Sequence, residues 1–273
     1  ADTGIVFIRS DISDRDNRLP ARWDLVADTR LCTVLKNAAG VSVATIEHIM
    51  AAFVALGVDN AEVSIDGPEV PIMDGSSADF ITAIDGVGRV ALQSPRRALK
   101  IRKPVHIKDG DKEVFLSPAD EAFFSFEIAF DNALIGRQKF SHRADEAHFR
   151  SDISFARTFG FLHEVEALRA MGLARGGSLD NAIVIDGDTV MNPGLRSPTE
   201  FVRHKILDAI GDIGLAGFPL LGHYHGVKAG HAMNNKALIA LFADADAWEM
   251  VELTPASQNA AQPRPAPPVR ART

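Results

Sequence analysis

The stretch from Ser197 to Leu215, SPTEFVRHKILDAIGDIGL, constrains the fold most, because it reads as one helix carrying a polar row that a core helix should not have. Ser197 suits the N-cap and Pro198 the first helical position, and Glu200 is spaced to return a capping-box hydrogen bond. At about 100° per residue, Val202, Ile206, Ala209, Ile210 and Ile213 gather on one side as a core-facing stripe. His204, Asp208 and Asp212 recur at four-residue spacing on the other side, so an imidazole and a carboxylate stand one turn apart and can converge on one ion. Two readings of this row are open: the solvated face of an amphipathic helix, or a row of metal ligands.

The chain has 273 residues, 46% of them hydrophobic, enough for one large core or two moderate ones. Its 29 basic and 36 acidic residues give a formal charge of −7, which argues against a general nucleic-acid binder. No apolar run approaches the length of a membrane span. The single cysteine, Cys32, cannot form an internal disulfide, so a reducing, cytoplasmic setting is expected. Cys32 lies in the apolar run LCTVL and is expected to be a small buried core thiol.

Along the chain, short apolar runs in residues 5–36 suit strands joined by a polar excursion. TIEHIMAAFVALG then reads as a helix with Thr45 as N-cap and Gly57 as its stop. Glu47 and His48 fall in its first turn, where one can ligate a metal while the other addresses a water; a carboxylate at a helix N-terminus is also favoured by the macrodipole alone. A strand, AEVSI, and a tight turn at Asp74-Gly75-Ser76 lead into a helix from Ser77 to Ile84. Composition shifts at QSPRR, where the domain boundary is placed. A strand series, a helix from Phe161 to Met171, the strand NAIVID and the opening helix follow. GHAMNN is expected as a polar loop holding His231, and LIALF as a further apolar segment. These elements predict an α+β chain with domains at 1–94 and 95–252, and a disordered Pro- and Arg-containing tail over 253–273.

Read together, EHIMAAFVALGVDNAEV, PEVPIMDGSSADF, RTFGF, FVRHKILDAIGD and KAGHAMNN resemble the UDP-3-O-acyl-N-acetylglucosamine deacetylases of lipid A synthesis, over residues 1–243 and in that family's order and spacing. The resemblance implies two similar domains, each a sheet layered with helices, with the active site between them. It implies a Zn2+ held by His48, His204 and Asp208, an open position for water, and Glu47 as catalytic base. It further implies Asp212 as the partner of His231, an acid candidate beside the leaving nitrogen. Thr158 resembles an oxyanion-stabilising hydroxyl, Lys205 a substrate contact, Lys228 a contact to the nucleotide phosphates and Phe159 a cleft wall. Family members begin with an additional strand pair and a Gly-rich turn bearing a His, so the first sheet is expected to be short of strands.

The implied reaction is attack of water on the N-acetyl carbon of a UDP-linked acylated amino sugar, with Glu47 taking the proton and either His231 or Glu47 protonating the leaving amine. A monomer is expected. Rival readings are another zinc amidohydrolase or peptidase, against which stands the absence of HExxH, and a truncated homologue that binds zinc and sugar nucleotide without efficient turnover.

Overall fold

A computed structural model of the chain describes residues 1–253. All but the first residue of the expected tail lies outside the described residues. The first half runs β1 (Ile5–Arg9), β2 (Arg18–Pro20), β3 (Val26–Asp28), β4 (Val34–Lys36), β5 (Ser42–Val43), α1 (Glu47–Ala55), β6 (Ala61–Ile65) and α2 (Ala78–Val87). The second half runs β7 (Arg97–Ile101), β8 (Val105–Asp109), β9 (Lys112–Ser117), β10 (Ala122–Ala129), β11 (Arg137–Arg143), α3 (Glu146–His148), β12 (Phe159–Phe161), α4 (Leu162–Ala170), β13 (Ile183–Asp186), β14 (Thr189–Val190), α5 (Glu200–Ile213), β15 (Leu220–Val227), α6 (His231–Ala243) and β16 (Trp248–Glu252). The chain is α+β. Two small sheets, ordered β2-β1-β6 and β3-β4-β5, lie in the first half; a seven-stranded sheet along β11-β10-β15-β7-β16, with β9 and β8 attached through β15, and a small sheet, β12-β13-β14, lie in the second.

Helix α5 is the packing centre. It contacts α1, α6, β10 and β11, and twelve of its fourteen residues are buried, Arg203 and Lys205 being the exceptions. The stripe Val202, Ile206, Ala209, Ile210 and Ile213 faces the core as the sequence predicts. The polar row is not a solvated face: His204, Asp208 and Asp212 are each 2–3% exposed. Sidedness survives, but both sides are covered.

Its start differs from the sequence expectation. The helix opens at Glu200, and the Glu200 carboxylate does not return to Ser197; it is wholly buried and takes hydrogen bonds from Arg157 Nε at 2.9 Å and Arg157 N at 3.1 Å. Its other oxygen accepts from the Arg196 N–H, and the charged guanidinium adds a stronger bond than a backbone amide gives. The exchange ties the RTFGF segment to the first turn of α5. Thr45 likewise does not cap α1, which has Ile46 at that position; Thr45 takes φ of 58° and its hydroxyl donates to Glu69 at 2.6 Å. GHAMNN is not a loop: His231 is the first residue of α6, a helix of thirteen residues. Asn234 does not break it, because its side chain bonds Tyr224 and Asp212 instead of its own backbone.

Two glycines let α1 and α5 meet. A Cβ at Gly211 would lie 2.0 Å from the Glu47 carbonyl oxygen, and one at Gly214 would lie 2.6 Å from Val54 Cγ2. The first clash is with backbone, which cannot turn aside. Gly211→Ala is therefore expected to force the helices apart and cost about 1–3 kcal/mol or more, as overpacking does. Gly86→Ala, in α2 with nothing within 4 Å, should instead gain about 0.4–1 kcal/mol. Thermal melts of both variants check this, and an unchanged melting temperature for Gly211→Ala would contradict it.

Candidate metal centre

The α1–α5 contact brings together side chains more than 150 residues apart in the chain. His48, from the first turn of α1, and His204 and Asp208, one turn apart on α5, present ligand atoms that all lie within 4.8 Å of one another. His204 Nε2 is 3.2 Å from Asp208 Oδ1, and His48 Nε2 is 3.7 Å from the same oxygen. The two imidazoles stand edge to face, centroids 5.1 Å apart. Bonds of about 2.0–2.1 Å from two nitrogens and an oxygen to one ion are compatible with these separations.

The surroundings prepare these groups as ligands. His204 Nδ1 is 3.0 Å from the Ala156 carbonyl oxygen, so that nitrogen carries the proton and Nε2 keeps its lone pair toward Asp208. Burial pushes His204 down to about 3, which keeps the ring neutral. Asp208 loses water by burial, yet with the Lys205 ammonium against it its pKa lies well below the usual carboxylate range. Lys205 Nζ donates to Asp208 Oδ2 at 2.6 Å and leaves Oδ1 facing the histidines. His48 Nδ1 is buried without a hydrogen-bond partner. Neutral imidazoles with an ionised carboxylate are the state a divalent metal needs, and two nitrogens with one oxygen suit zinc.

Glu47 is the neighbour of His48 in the same turn and is 4% exposed. Its Oε2 accepts from Thr33 N at 3.2 Å, and its Oε1 stands 3.9 Å from His231 Nε2. Burial, only partly offset by His231 and His48, raises its pKa. His231 opens α6, and its Nδ1 donates to Asp212 Oδ2 at 2.8 Å. Burial works against its charged form, yet Asp212 wins, raising it to about 9.

Among the remaining expected residues, Phe159 lies beside this cluster, its ring centroid 6.2 Å from that of His204 and 5.7 Å from Lys205 Nζ. Thr158 precedes it, its backbone pinned by Gly75 O at 2.8 Å and Ile183 N at 2.8 Å. That pinning requires glycine at 75, where φ is +82° and a Cβ would meet Asn181 O at 2.0 Å. Lys228 pairs with Asp111 at 2.7 Å, three residues before His231. Cys32, expected in the core, is half-buried; burial and then Glu47 push its thiol up to about 11, so it remains a neutral thiol and a poor metal ligand.

The sequence reading missed Thr33, Asn234 and Tyr224. Thr33 Oγ1 donates to Asp212 Oδ1 at 2.6 Å, Asn234 Nδ2 to Asp212 Oδ2 at 2.8 Å, and Tyr224 OH to Asn234 Oδ1 at 2.6 Å. No local spacing signals a contact between Thr33 and Asp212. The glycine at 211, inside an otherwise well-formed helix, was a readable sign of close backbone approach.

The family model described as UDP-3-O-acyl N-acetylglycosamine deacetylase matches residues 1–243. A protein of Phenylobacterium zucineum named UDP-3-O-acyl-N-acetylglucosamine deacetylase is 57% identical over 251 residues, 92% of this chain and 86% of that one. Proteins of the same name from Myxococcus xanthus and Syntrophotalea carbinolica are 49% and 48% identical, covering 91% and 92% of this chain and 79% and 81% of their own.

One zinc per chain is the expected stoichiometry by equilibrium dialysis. His48→Ala, His204→Ala and Asp208→Ala should each weaken binding, whereas Cys32→Ala should not. Retention of wild-type affinity by His204→Ala would rule out this centre.

Proposed function

The chain belongs to the UDP-3-O-acyl-N-acetylglucosamine deacetylase family, and from that premise we propose that it works as a zinc enzyme in which His48, His204 and Asp208 hold the ion. Its reaction is hydrolysis of the N-acetyl group of UDP-3-O-acyl-N-acetylglucosamine, giving the free amine and acetate, in lipid A biosynthesis. The observation that carries the assignment of residues is the convergence of three ligand atoms within 4.8 Å, with Glu47 and His231 beside them. Nothing favours a homologue that binds without turnover.

When bound, zinc would polarise the acetyl carbonyl and bring the pKa of a water near neutrality. Glu47, next to a ligand in one helical turn, takes the proton from the attacking water. The Thr158 hydroxyl donates to the oxyanion as charge develops. His231, kept protonated by Asp212, hands its Nε2 proton to the departing sugar nitrogen. The Nδ1 bond to Asp212 leaves Nε2 as the nitrogen aimed toward Glu47, which supports His231 over Glu47 as the acid. Lys205 and Phe159, adjoining the ligands, contact the substrate, and Lys228 exchanges Asp111 for the nucleotide phosphates.

We also read residues 1–94 and 95–252 as two domains with this site at their junction. In support, among the described residues no strand pairing crosses residue 94, while His48 comes from one side and His204 and Asp208 from the other. A monomer acting in the cytoplasm, without nucleic acid, completes the proposal. The charge of −7 and the free Cys32 agree with it. No described helix is long and apolar enough to cross a membrane.

Two experiments test the roles. In Glu47→Ala the ligands remain, so zinc should stay near one per chain while turnover of UDP-3-O-acyl-N-acetylglucosamine falls about 10²–10⁴-fold, the scale of a lost general base; in His48→Ala zinc and turnover should fall together. Loss of zinc from the Glu47 variant, or wild-type turnover in it, would refute the base assignment. In the pH profile, activity should fall on the alkaline side as His231 loses its proton. Because the Asp212 charge raises His231, Asp212→Asn should move that limb to lower pH; an unmoved limb would mean that another group is the acid.

A further inference from the structure

We propose that Thr33 is a positioning residue for this hydrolysis, holding Glu47 and Asp212 in one frame so that base and acid address the same substrate nitrogen and carbonyl. The inference rests on the roles given to Glu47 and His231 above. Thr33 immediately precedes β4 and is 2% exposed. Its two donors point to two helices: the backbone N–H to Glu47 Oε2 on α1, and the hydroxyl to Asp212 Oδ1 on α5. Among the described residues, it is the single residue hydrogen-bonded to both carboxylates.

The arrangement leaves Asp212 one orientation. Its Oδ1 takes the Thr33 hydroxyl, and its Oδ2 takes His231 Nδ1 and Asn234 Nδ2. Asn234 cannot turn its amide over, because Tyr224 OH donates to its oxygen; burial and then the Asp212 charge keep that hydroxyl protonated. A carboxylate anchored at both oxygens cannot rotate, and the His231 ring bonded to it cannot tilt. If the Thr33 hydroxyl is removed, Oδ1 loses a buried donor, the carboxylate is free to turn toward a new partner, and His231 turns with it. Glu47 keeps its bond to the Thr33 N–H, so the distance and angle between Glu47 and His231, not either residue's identity, are what change. Misplacement of this kind costs turnover and leaves binding intact, since Thr33 has no assigned contact with the ligands or the substrate.

The test compares Thr33→Val, which keeps shape and the backbone N–H but removes the hydroxyl, with Thr33→Ser, which keeps the hydroxyl. Both are assayed as zinc-loaded full chains for kcat, KM and zinc content, beside Glu47→Ala and His231→Ala. The expected result is about a 10- to 100-fold lower kcat in Thr33→Val, with KM and zinc near wild type, and recovery of most of kcat in Thr33→Ser. Thr33→Ala gives the same comparison if the valine variant does not fold. Equal losses in the valine and serine variants, a change confined to KM or zinc, or wild-type kcat in Thr33→Val and Thr33→Ala would overturn the proposal. If Glu47→Ala and His231→Ala lose turnover while the Thr33 variants do not, positioning by Thr33 alone is wrong; if Glu47→Ala and His231→Ala keep turnover, the underlying assignment of base and acid is wrong.

Discussion

Backbone contact between α1 and α5, at Gly211 against the Glu47 carbonyl, is the constraint on which the rest of the site depends. A side chain at 211 would hold the two helices apart, and the EH pair of the first half would no longer reach the HxxxDxxxD row of the second. The contact is reinforced from outside the pair: the Ser77 hydroxyl donates to the His48 carbonyl at 2.8 Å, and Ser77 N donates to Ser154 O at 3.0 Å. The loop before α2 thus links α1 to the segment that carries Thr158 and Phe159.

Closing two helices over a polar row costs desolvation of every charge on it, and the structure answers each cost separately. Glu200 has Arg157, Asp208 has Lys205, His204 has the Ala156 carbonyl, and Asp212 has Thr33, Asn234 and His231. What is left over is telling. The His48 ring retains an unpaired nitrogen, and the His204 and His48 Nε2 atoms meet only at Asp208 Oδ1. The two Nε2 atoms and Asp208 Oδ1 thus face one another across a gap that one divalent ion would bridge.

Much of this was legible in the sequence, and the failures share a cause. The core stripe of α5, the Gly57 stop after α1, a helix expected over Phe161 to Met171 and found at Leu162–Ala170, and the tight turn at Gly75 follow from local periodicity and turn chemistry, and the structure has them. The four-residue spacing of His204, Asp208 and Asp212 correctly set them on one side. That this side is buried could not be read, because helical periodicity reports sidedness and not what covers each side. The capping box at Ser197 and Glu200 fits the local pattern equally well; the Glu200 carboxylate instead accepts from the N–H of Arg196, one residue before Ser197, and from Arg157, forty-three residues away, which brings a charge. GHAMNN reads as a loop by composition and folds as a helix because Asp212 and Tyr224 occupy the Asn234 side chain. In both cases a polar partner distant in sequence takes part in placing a side chain that local pattern alone assigns differently.

The zinc K-edge X-ray absorption spectrum of the zinc-loaded chain counts the ligands of the His48, His204 and Asp208 centre without reference to turnover. The expected spectrum has a shell of nitrogen and oxygen only, with outer-shell scattering from two imidazoles that drops to one in His48→Ala. A sulfur scatterer at about 2.3 Å, which only Cys32 or a methionine could supply, or a spectrum with no imidazole contribution, would contradict it.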